Sequence, residues 1–146
     1  MAPGMKFSVV LDDPFIADKA KVQRVVFCTG KLFYDLVKKR QACPNNTSEL
    51  VAFVRLEELC PFPFSQVRET LSRYCNAQEF VWLQEEPRNQ GAYGHVAPRL
   101  QDILRHSGKD LRYLGRKEDA VPAPGIARLY SAQQKALVEA AFDRLQ

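Results

Sequence analysis

The stretch Val22-Gln-Arg-Val-Val-Phe-Cys28, followed by Thr29-Gly30 and then by Lys31 to Gln41, decides the fold of this chain. A short β-branched run predicts a strand, and the Thr-Gly pair that closes it predicts a tight turn. In the segment after the turn, apolar residues recur at helical spacing: Leu32, Phe33, Leu36 and Val37. The sequence therefore predicts a strand, a turn and a helix, which is the repeating unit of α/β proteins.

The strand and helix unit repeats along the chain. Apolar or β-branched runs predict further strands over Leu50 to Leu56, Glu79 to Gln84 and Leu111 to Leu114. Strands that alternate with helices are joined by right-handed crossovers, so these runs predict a largely parallel sheet. The expected fold class is α/β with three layers (α/β/α), in which helices cover both faces of a mostly parallel sheet of four or five strands.

Helical periodicity follows two of these strands and returns near the end of the chain. The second helix is expected to have Ser65 as its N-cap, the third to end near Ser107-Gly108, and the closing helix to run from a capping Ser131 to Leu145. The proline-containing segment between Gly115 and Tyr130 predicts a surface loop. Core-facing residues are Phe64, Val67, Leu71 and Tyr74 in the second helix, Val96, Leu100, Ile103 and Leu104 in the third, and Leu137, Val138, Ala141, Phe142 and Leu145 in the last.

Composition limits the class of protein. A length of 146 residues and a hydrophobic content of 46% fit one globular domain, which we place at residues 6–146, with residues 1–5 as a leader. The net charge of +4 is spread without a Lys/Arg block, which argues against nucleic-acid binding. The sequence has no apolar run near the roughly 20 residues that cross a bilayer, so no membrane association is expected. Four separated cysteines (Cys28, Cys43, Cys60 and Cys75) predict reduced, mostly buried thiols in an intracellular protein.

Ligands of open α/β sheets bind beyond the carboxyl ends of the strands, and three segments fall there. They are Thr29-Gly30-Lys31, Cys60 to Pro63, and Glu85 to Gly91. The first could present backbone N–H groups and a lysine to an anion, but it lacks a full phosphate-binding fingerprint. A plain turn that requires glycine is the favoured interpretation of that segment.

The adjacent carboxylates Glu85 and Glu86 suggest acid–base chemistry or a divalent metal site. Adjacent residues leaving a strand point to opposite faces, however, so the two carboxylates are not expected to converge on one ion. The favoured interpretation is that one caps the following turn or helix while the other pairs with an arginine such as Arg88 or Arg99.

The two histidines add little to a catalytic site. His95 precedes an apolar helix and is expected to pack, whereas His106 lies at a helix end and is expected to be a solvated charge partner. The sequence contains no Ser/His/Asp or Cys/His arrangement around them. No catalytic residue is therefore predicted from spacing.

Several longer motifs occur in a fixed order: Phe27-Cys-Thr-Gly30, Arg55-Leu-Glu-Glu58, Pro61-Phe-Pro63, Gln84-Glu-Glu86, Asn89-Gln-Gly91, Pro98-Arg-Leu100 and Gly115-Arg116. On these motifs the chain resembles the C-terminal domain of the thiamine-diphosphate-dependent first component of 2-oxoglutarate dehydrogenase. That domain is similar in fold to the C-terminal domain of transketolases. The resemblance covers nearly all of residues 6 to 142.

The resemblance implies a function for the whole enzyme and a smaller one for this domain. The family decarboxylates 2-oxoglutarate in the tricarboxylic acid cycle and passes the succinyl group to lipoyl groups of the acyltransferase core. Its thiamine diphosphate and magnesium are held by two preceding domains across a homodimer interface, so no catalytic, cofactor or metal residue is expected here. The implied role is structural, regulatory and in dimer contacts, with candidate residues Glu85, Glu86, Arg88, Asn89, Gln90, Arg99 and Arg116.

The same resemblance implies partners and a compartment. The partners would be the remaining domains of the enzyme, a second protomer and the acyltransferase core, in the mitochondrial matrix of a eukaryote or the cytoplasm of a bacterium. In some bacterial relatives this domain contributes to a surface site for an acetyl-coenzyme A activator, for which Arg88, Arg99, Arg116 and Lys117 are the basic candidates.

Two alternatives stay open. One is the same domain of a 2-oxoadipate dehydrogenase. The other is a free-standing small-ligand or nucleotide-binding module that uses Thr29-Gly30-Lys31 and the Glu85 to Gly91 loop. A domain from a larger dimeric enzyme is expected to expose an apolar patch, whereas a self-sufficient module is expected to have a closed, polar-lined pocket.

Overall fold

The computed structural model describes residues 7–42 and 46–143. Short 3-10 turns at Lys19–Lys21 and Asn46–Leu50 each precede a strand. The regular elements in chain order are β1 (Val10–Leu11), β2 (Arg24–Cys28), α1 (Leu32–Ala42), β3 (Val51–Leu56), α2 (Phe64–Ser72), β4 (Glu79–Pro87), α3 (Tyr93–Arg105), β5 (Leu111–Arg116) and α4 (Ala127–Ala140).

The strands form one sheet in the order β1-β3-β2-β4-β5. Strands β3, β2, β4 and β5 are parallel to one another, while β1 pairs antiparallel with β3 and places Val10 opposite Leu56. The predicted mostly parallel α/β sheet is confirmed. The two-residue strand β1 is an addition that periodicity did not predict, because two residues are too few to show an alternation.

Alternation along the strands builds two cores, one on each face of the sheet. In β2, Val25 and Phe27 face the layer of α2 and α3, and Val26 and Cys28 face the layer of α1 and α4. Both groups are fully buried, as expected for a central parallel strand covered on both sides. The helices thus form the two outer layers of the predicted three-layer arrangement.

Two predicted N-caps are wrong. Ser65 lies inside α2, because Val67 already donates its backbone N–H to the Pro63 carbonyl at 3.0 Å. Ser131 lies inside α4, which begins four residues earlier at Ala127. Neither helix has a side-chain cap. Each serine is a polar residue within or near the first turn of its helix and does not mark the residue at which the helix begins.

Strand ends and the closing helix also differ from the prediction. Strand β4 continues to Pro87 and β5 to Arg116, so motif residues expected in loops belong to strands. The segment between Arg116 and Ala127 is largely exposed, in keeping with a surface loop. The predicted Leu145 end of the last helix lies outside the described residues.

The prediction of mostly buried cysteines is wrong. Cys28 is buried, and burial raises the pKa of its thiol to about 12. Cys60 and Cys75 are exposed, because both lie in turns beyond the ends of elements where no apolar layer covers them. Cys43 lies outside the described residues. Among the helices that the structure describes, none has the length and apolar character of a bilayer span.

A buried carboxylate fixes the segment that follows β1. Asp13 accepts bidentate hydrogen bonds from Arg40 in α1 at 3.1 and 2.8 Å, and one from the backbone N–H of Phe53 at 2.8 Å. Its side chain is fully shielded, so these donors offset the cost of removing its charge from water. Asp12 beside it forms ion pairs with Lys19 and Arg73, and this pair of aspartates attaches the first strand to the rest of the domain.

Candidate functional site

Two of the three predicted site segments meet at the carboxyl edge of the sheet. Lys31, at the start of α1, forms an ion pair with Glu85 in β4 at 3.0 Å. Gly30 has a φ of +62°, a conformation that glycine adopts readily, and this turn directs Lys31 toward β4. The hydrogen bond to Glu85 raises the pKa of Lys31, so the lysine of the suspected anion site already has a carboxylate partner.

Gln84 organises the loop between β4 and α3, and sequence reasoning missed it. Its Oε1 accepts from the indole Nε1 of Trp82 and from the backbone N–H of Tyr93, both at 2.9 Å. Its Nε2 donates to the carbonyls of Pro87 at 3.0 Å and Gln90 at 2.8 Å. Because residues i and i+2 of a strand share a face, the buried Trp82 was the signal that Gln84 also points inward.

Asn89 and Gln90 join that loop to the segment after β5. Asn89 Nδ2 donates to the carbonyl of Asp119 at 3.0 Å, and its Oδ1 accepts from the Asp119 N–H at 3.1 Å. Gln90 Nε2 donates to the same carbonyl at 2.9 Å. The two polar residues of the motif therefore fix a neighbouring loop.

Glu85 and Glu86 diverge, as the strand geometry predicts. Glu85 Oε2 accepts from Lys31 and from Gln134 Nε2, each at 3.0 Å, so it links β4 to α1 and α4. Glu86 packs against Gly91 instead, and its main-chain carbonyl accepts from the Tyr113 hydroxyl at 3.2 Å. The two carboxylates do not form a pair that could share one ion or one proton.

The expectation that an arginine such as Arg88 or Arg99 would pair with these glutamates is wrong. The Arg88 guanidinium lies over the rings of Tyr93 and Tyr113, 5.6 and 5.7 Å from their centroids. Arg99 donates to the carbonyl of His95 one turn earlier in α3, at 2.5 Å. Glu85 pairs instead with Lys31, which is distant in sequence. The two residues meet because β2 and β4 are adjacent parallel strands and their carboxyl ends lie side by side.

Arg116 ends β5 beside a cavity of about 420 Å³. Its guanidinium lies 4.9 Å from the centroid of the Tyr130 ring. Its Nε and Nη2 are buried and have no hydrogen-bond partner among the described residues, as is also true of Gln133 Oε1 on the facing side of the cavity. Gln134 Oε1, Arg55 Nε and Glu57 Oε1 also lack a hydrogen-bond partner among the described residues, but of these groups only those of Arg116 and Gln133 line this cavity.

The histidines serve as local hydrogen-bonding groups. His95 Nε2 lies 2.8 Å from the Leu59 carbonyl and connects α3 to the loop that contains Cys60 and Pro61. His106 is exposed, and its Nδ1 lies 2.8 Å from the Asp102 carbonyl within the last turn of α3. Among the described residues, the hydrogen-bond partner of each ring is a main-chain carbonyl, and neither ring bonds to a thiol, hydroxyl or carboxylate side chain. The described residues contain no cluster of three or more acidic, cysteine or histidine side chains suited to a metal.

The chain matches a known family over most of its length. The family model described as 2-oxoglutarate dehydrogenase C-terminal matches residues 1–142. The chain is 40% identical over 142 residues to the 2-oxoadipate dehydrogenase complex component E1 of Danio rerio, a match that covers 97% of this chain and 15% of the relative. It is 42% identical over 140 residues to the 2-oxoglutarate dehydrogenase E1 component of Cupriavidus necator, covering 96% and 14%.

A solved structure shares the fold. The structure described as "Split gene transketolase, inactive beta4 tetramer" aligns with a TM-score of 0.57 and 12% identity, covering 97% of this chain and 44% of the other. At that identity the likeness extends to the fold alone, and it confirms the predicted similarity to a transketolase. The chain spans 14 to 15% of the length of the two sequence relatives described above, so their activities reside in proteins several times longer.

Proposed function

The chain belongs to the 2-oxoglutarate dehydrogenase C-terminal family, and from that premise we propose that it acts as the C-terminal structural and assembly domain of a longer, thiamine-diphosphate-dependent 2-oxo acid dehydrogenase component. Residues 6–146 would form this single domain. The observation that carries the proposal is the use of the motif side chains: Gln84, Glu85, Asn89 and Gln90 all bond to other parts of the chain. A loop whose polar groups are occupied in this way forms a rigid surface and has no free catalytic pair.

Thiamine diphosphate and its magnesium fit poorly on the described residues. A magnesium ion prefers oxygen ligands that converge in octahedral geometry, whereas Glu85 points to Lys31 and Glu86 to Gly91. We therefore propose that the cofactor and metal are held by the preceding part of the longer protein. The C-terminal domain then contributes contacts to neighbouring domains, to the second protomer and to the acyltransferase core of the complex.

The proposed substrate of the longer protein is 2-oxoglutarate, with 2-oxoadipate as the alternative. Relatives named for each substrate match this domain at 42% and 40% identity, so the domain does not separate them. Relatives are found in bacteria and in eukaryotes. The proposed compartment is the cytoplasm if this chain is bacterial and the mitochondrial matrix if it is eukaryotic.

A chimera tests this function. The matched C-terminal part of the Cupriavidus necator relative is replaced by this chain, and decarboxylation of 2-oxoglutarate and of 2-oxoadipate is measured with thiamine diphosphate and magnesium. We expect turnover by the chimera, none by the 146-residue chain alone, and little by the relative truncated before the matched region. Turnover by the isolated chain would contradict the proposal, as would a chimera no more active than the truncated protein.

A second candidate function is regulation by an anionic ligand such as acetyl-coenzyme A. The supporting observation is Arg116, whose buried Nε and Nη2 have no partner among the described residues and lie beside the 420 Å³ cavity. A buried guanidinium recognises phosphate or carboxylate oxygens well. We expect acetyl-coenzyme A to bind the isolated chain in calorimetry and Arg116→Gln to abolish binding, with Arg105→Gln, at the exposed end of α3, as the matched control. Equal binding by the Arg116→Gln variant would refute this role.

A further inference from the structure

The large exposed apolar side chains are unevenly distributed. Phe7 is 67% exposed and Tyr34 is 64% exposed. Both lie at the carboxyl edge of the sheet: Tyr34 is in the first turn of α1, directly after β2, and Phe7 precedes the antiparallel β1, next to the end of β3. Phe15, at 55%, lies toward the opposite edge, near Lys21 and Glu49, which precede β2 and β3. The remaining such residues, Val121, Ile126 and Leu129, follow β5 and also lie toward the carboxyl edge.

Charged side chains lie beside Tyr34 and just beyond the end of β3, where the backbone that follows Phe7 runs next to Glu57. The Arg55 guanidinium lies 5.9 Å from the centroid of the Tyr34 ring and 3.7 Å from a carboxylate oxygen of Glu57. Lys31, on the same turn as Tyr34, is itself largely exposed. An apolar centre with a polar rim that contains both signs of charge is the usual anatomy of a protein interface. We call these five residues (Phe7, Tyr34, Lys31, Arg55 and Glu57) the Phe7 face.

The course of the chain indicates what covers this face. The relatives extend over several times the length of this chain, and the matching family model is described as C-terminal, so their additional length precedes the matched region. The chain runs into β1 from the carboxyl edge, since the Val9 carbonyl accepts from the backbone N–H of Glu57 just beyond β3. In the longer protein of the proposed function, the preceding part of the chain would therefore enter this domain at the carboxyl edge, beside Phe7.

We propose that the Phe7 face is the docking surface for the domain that immediately precedes this one in the longer protein. The inference rests on the proposed function and specifies the contact that it requires. Burying two aromatic side chains supplies the apolar centre of the interface, and excluding water strengthens the Arg55–Glu57 ion pair. The opposite edge, with Phe15, stays in solvent.

Hydroxyl-radical footprinting tests the proposal. The oxidation of Phe7, Tyr34 and Phe15 is measured by mass spectrometry in the 146-residue chain and in the Cupriavidus necator chimera described above. We expect Phe7 and Tyr34 to lose reactivity several-fold in the chimera and Phe15 to keep it, which makes Phe15 an internal control of similar exposure. A chimera carrying Phe7→Ser and Tyr34→Ser should also melt at a lower temperature than one carrying Phe15→Ser.

The outcomes separate the two proposals. Activity of the chimera with Phe7 and Tyr34 as reactive as in the isolated chain would overturn the docking face and leave the proposed function standing. If Phe7 and Tyr34 of the isolated chain became less reactive as its concentration rose, the face would bind a second copy of this chain. That result would also overturn the inference. An inactive chimera in which no residue gains protection would overturn the proposed function and the docking face with it.

Discussion

Replacing Gln84 with Ala should destabilise the domain more than its polar character suggests. The side chain is 2% exposed and binds two donors and two main-chain acceptors across the turn between β4 and α3. Alanine leaves the Trp82 indole N–H, the Tyr93 N–H and the carbonyls of Pro87 and Gln90 without those partners. Each buried group left unpaired costs on the order of 1–3 kcal/mol.

The magnitude depends on how many of these groups reach water. The Trp82 indole is fully buried, whereas the bonds to Tyr93 and Gln90 are partly buried and can be replaced by solvent in part. Counting full penalties for about two groups gives a loss of roughly 2–6 kcal/mol. Since small domains have only about 5–15 kcal/mol of stability, the variant should still fold, but near its limit.

Urea denaturation of the 146-residue chain measures this loss. Gln78→Ala is the matched control, because Gln78 is an exposed glutamine at the start of the same strand region, and its loss should stay under about 0.5 kcal/mol. If Gln84→Ala cost less than about 1 kcal/mol with an unchanged denaturant slope, the reasoning about unpaired groups would be refuted.

Gln84→Glu separates hydrogen bonding from size. A carboxylate still accepts from Trp82 and Tyr93, but its second oxygen faces the carbonyls of Pro87 and Gln90, where only a donor fits. The folded state therefore favours the protonated acid and raises the pKa of this glutamate. The variant should be most stable below about pH 4, the ordinary pKa of glutamate, and lose stability as the pH rises through the folded-state pKa. A flat pH profile relative to the original chain would contradict this.

Trp82→Ala should cost about 3–5 kcal/mol, because a fully buried indole leaves a large cavity, and an unchanged melting temperature would reject this. Gly91→Ala should destabilise by at least about 1 kcal/mol more than Gly30→Ala in the same denaturation assay. Both glycines have positive φ, but the new Cβ at 91 would lie 3.0 Å from the Cβ of Glu86, whereas that at 30 would meet open space. Burial tends to raise the pKa of Asp12, but hydrogen bonds from Lys19 and Tyr74 outweigh this and lower it below 3.8. Its stabilisation should therefore be present above that pH and lost as the pH falls through the lower folded value, a decline that Asp12→Asn should reduce.

The fold followed from the sequence to a large extent because its signals are local and repeated. The runs at Val22 to Cys28 and Leu50 to Leu56 are buried on both faces, and such strands appear as continuous apolar segments. Helix starts were less predictable: Ser65 and Ser131 have the right chemistry for N-caps, but the helices begin earlier without a side-chain cap. Cap positions depend on main-chain bonds that a residue's type does not specify.

The candidate site was also predicted only in part from the sequence. The divergence of Glu85 and Glu86 follows from the alternation of side chains along a strand, so the sequence sufficed to reject a shared metal or proton. The partner of Glu85 did not follow, because Lys31 is 54 residues away and becomes its neighbour only when β2 and β4 pair. Of the candidates nearer in sequence, Arg88 lies over aromatic rings and Arg99 donates a hydrogen bond to a main-chain carbonyl.

The sequence by itself determined the family, the α/β class and the buried strands, since these depend on residue order and on periodicities that span one element. Only the tertiary structure decided that Gln84 holds the turn before α3, that Asn89 reaches Asp119, and that Phe7 and Tyr34 share an exposed edge. The physical reason is that these contacts join residues brought together by chain crossovers. Their free energy depends on distance and burial in three dimensions, which spacing along the chain does not contain.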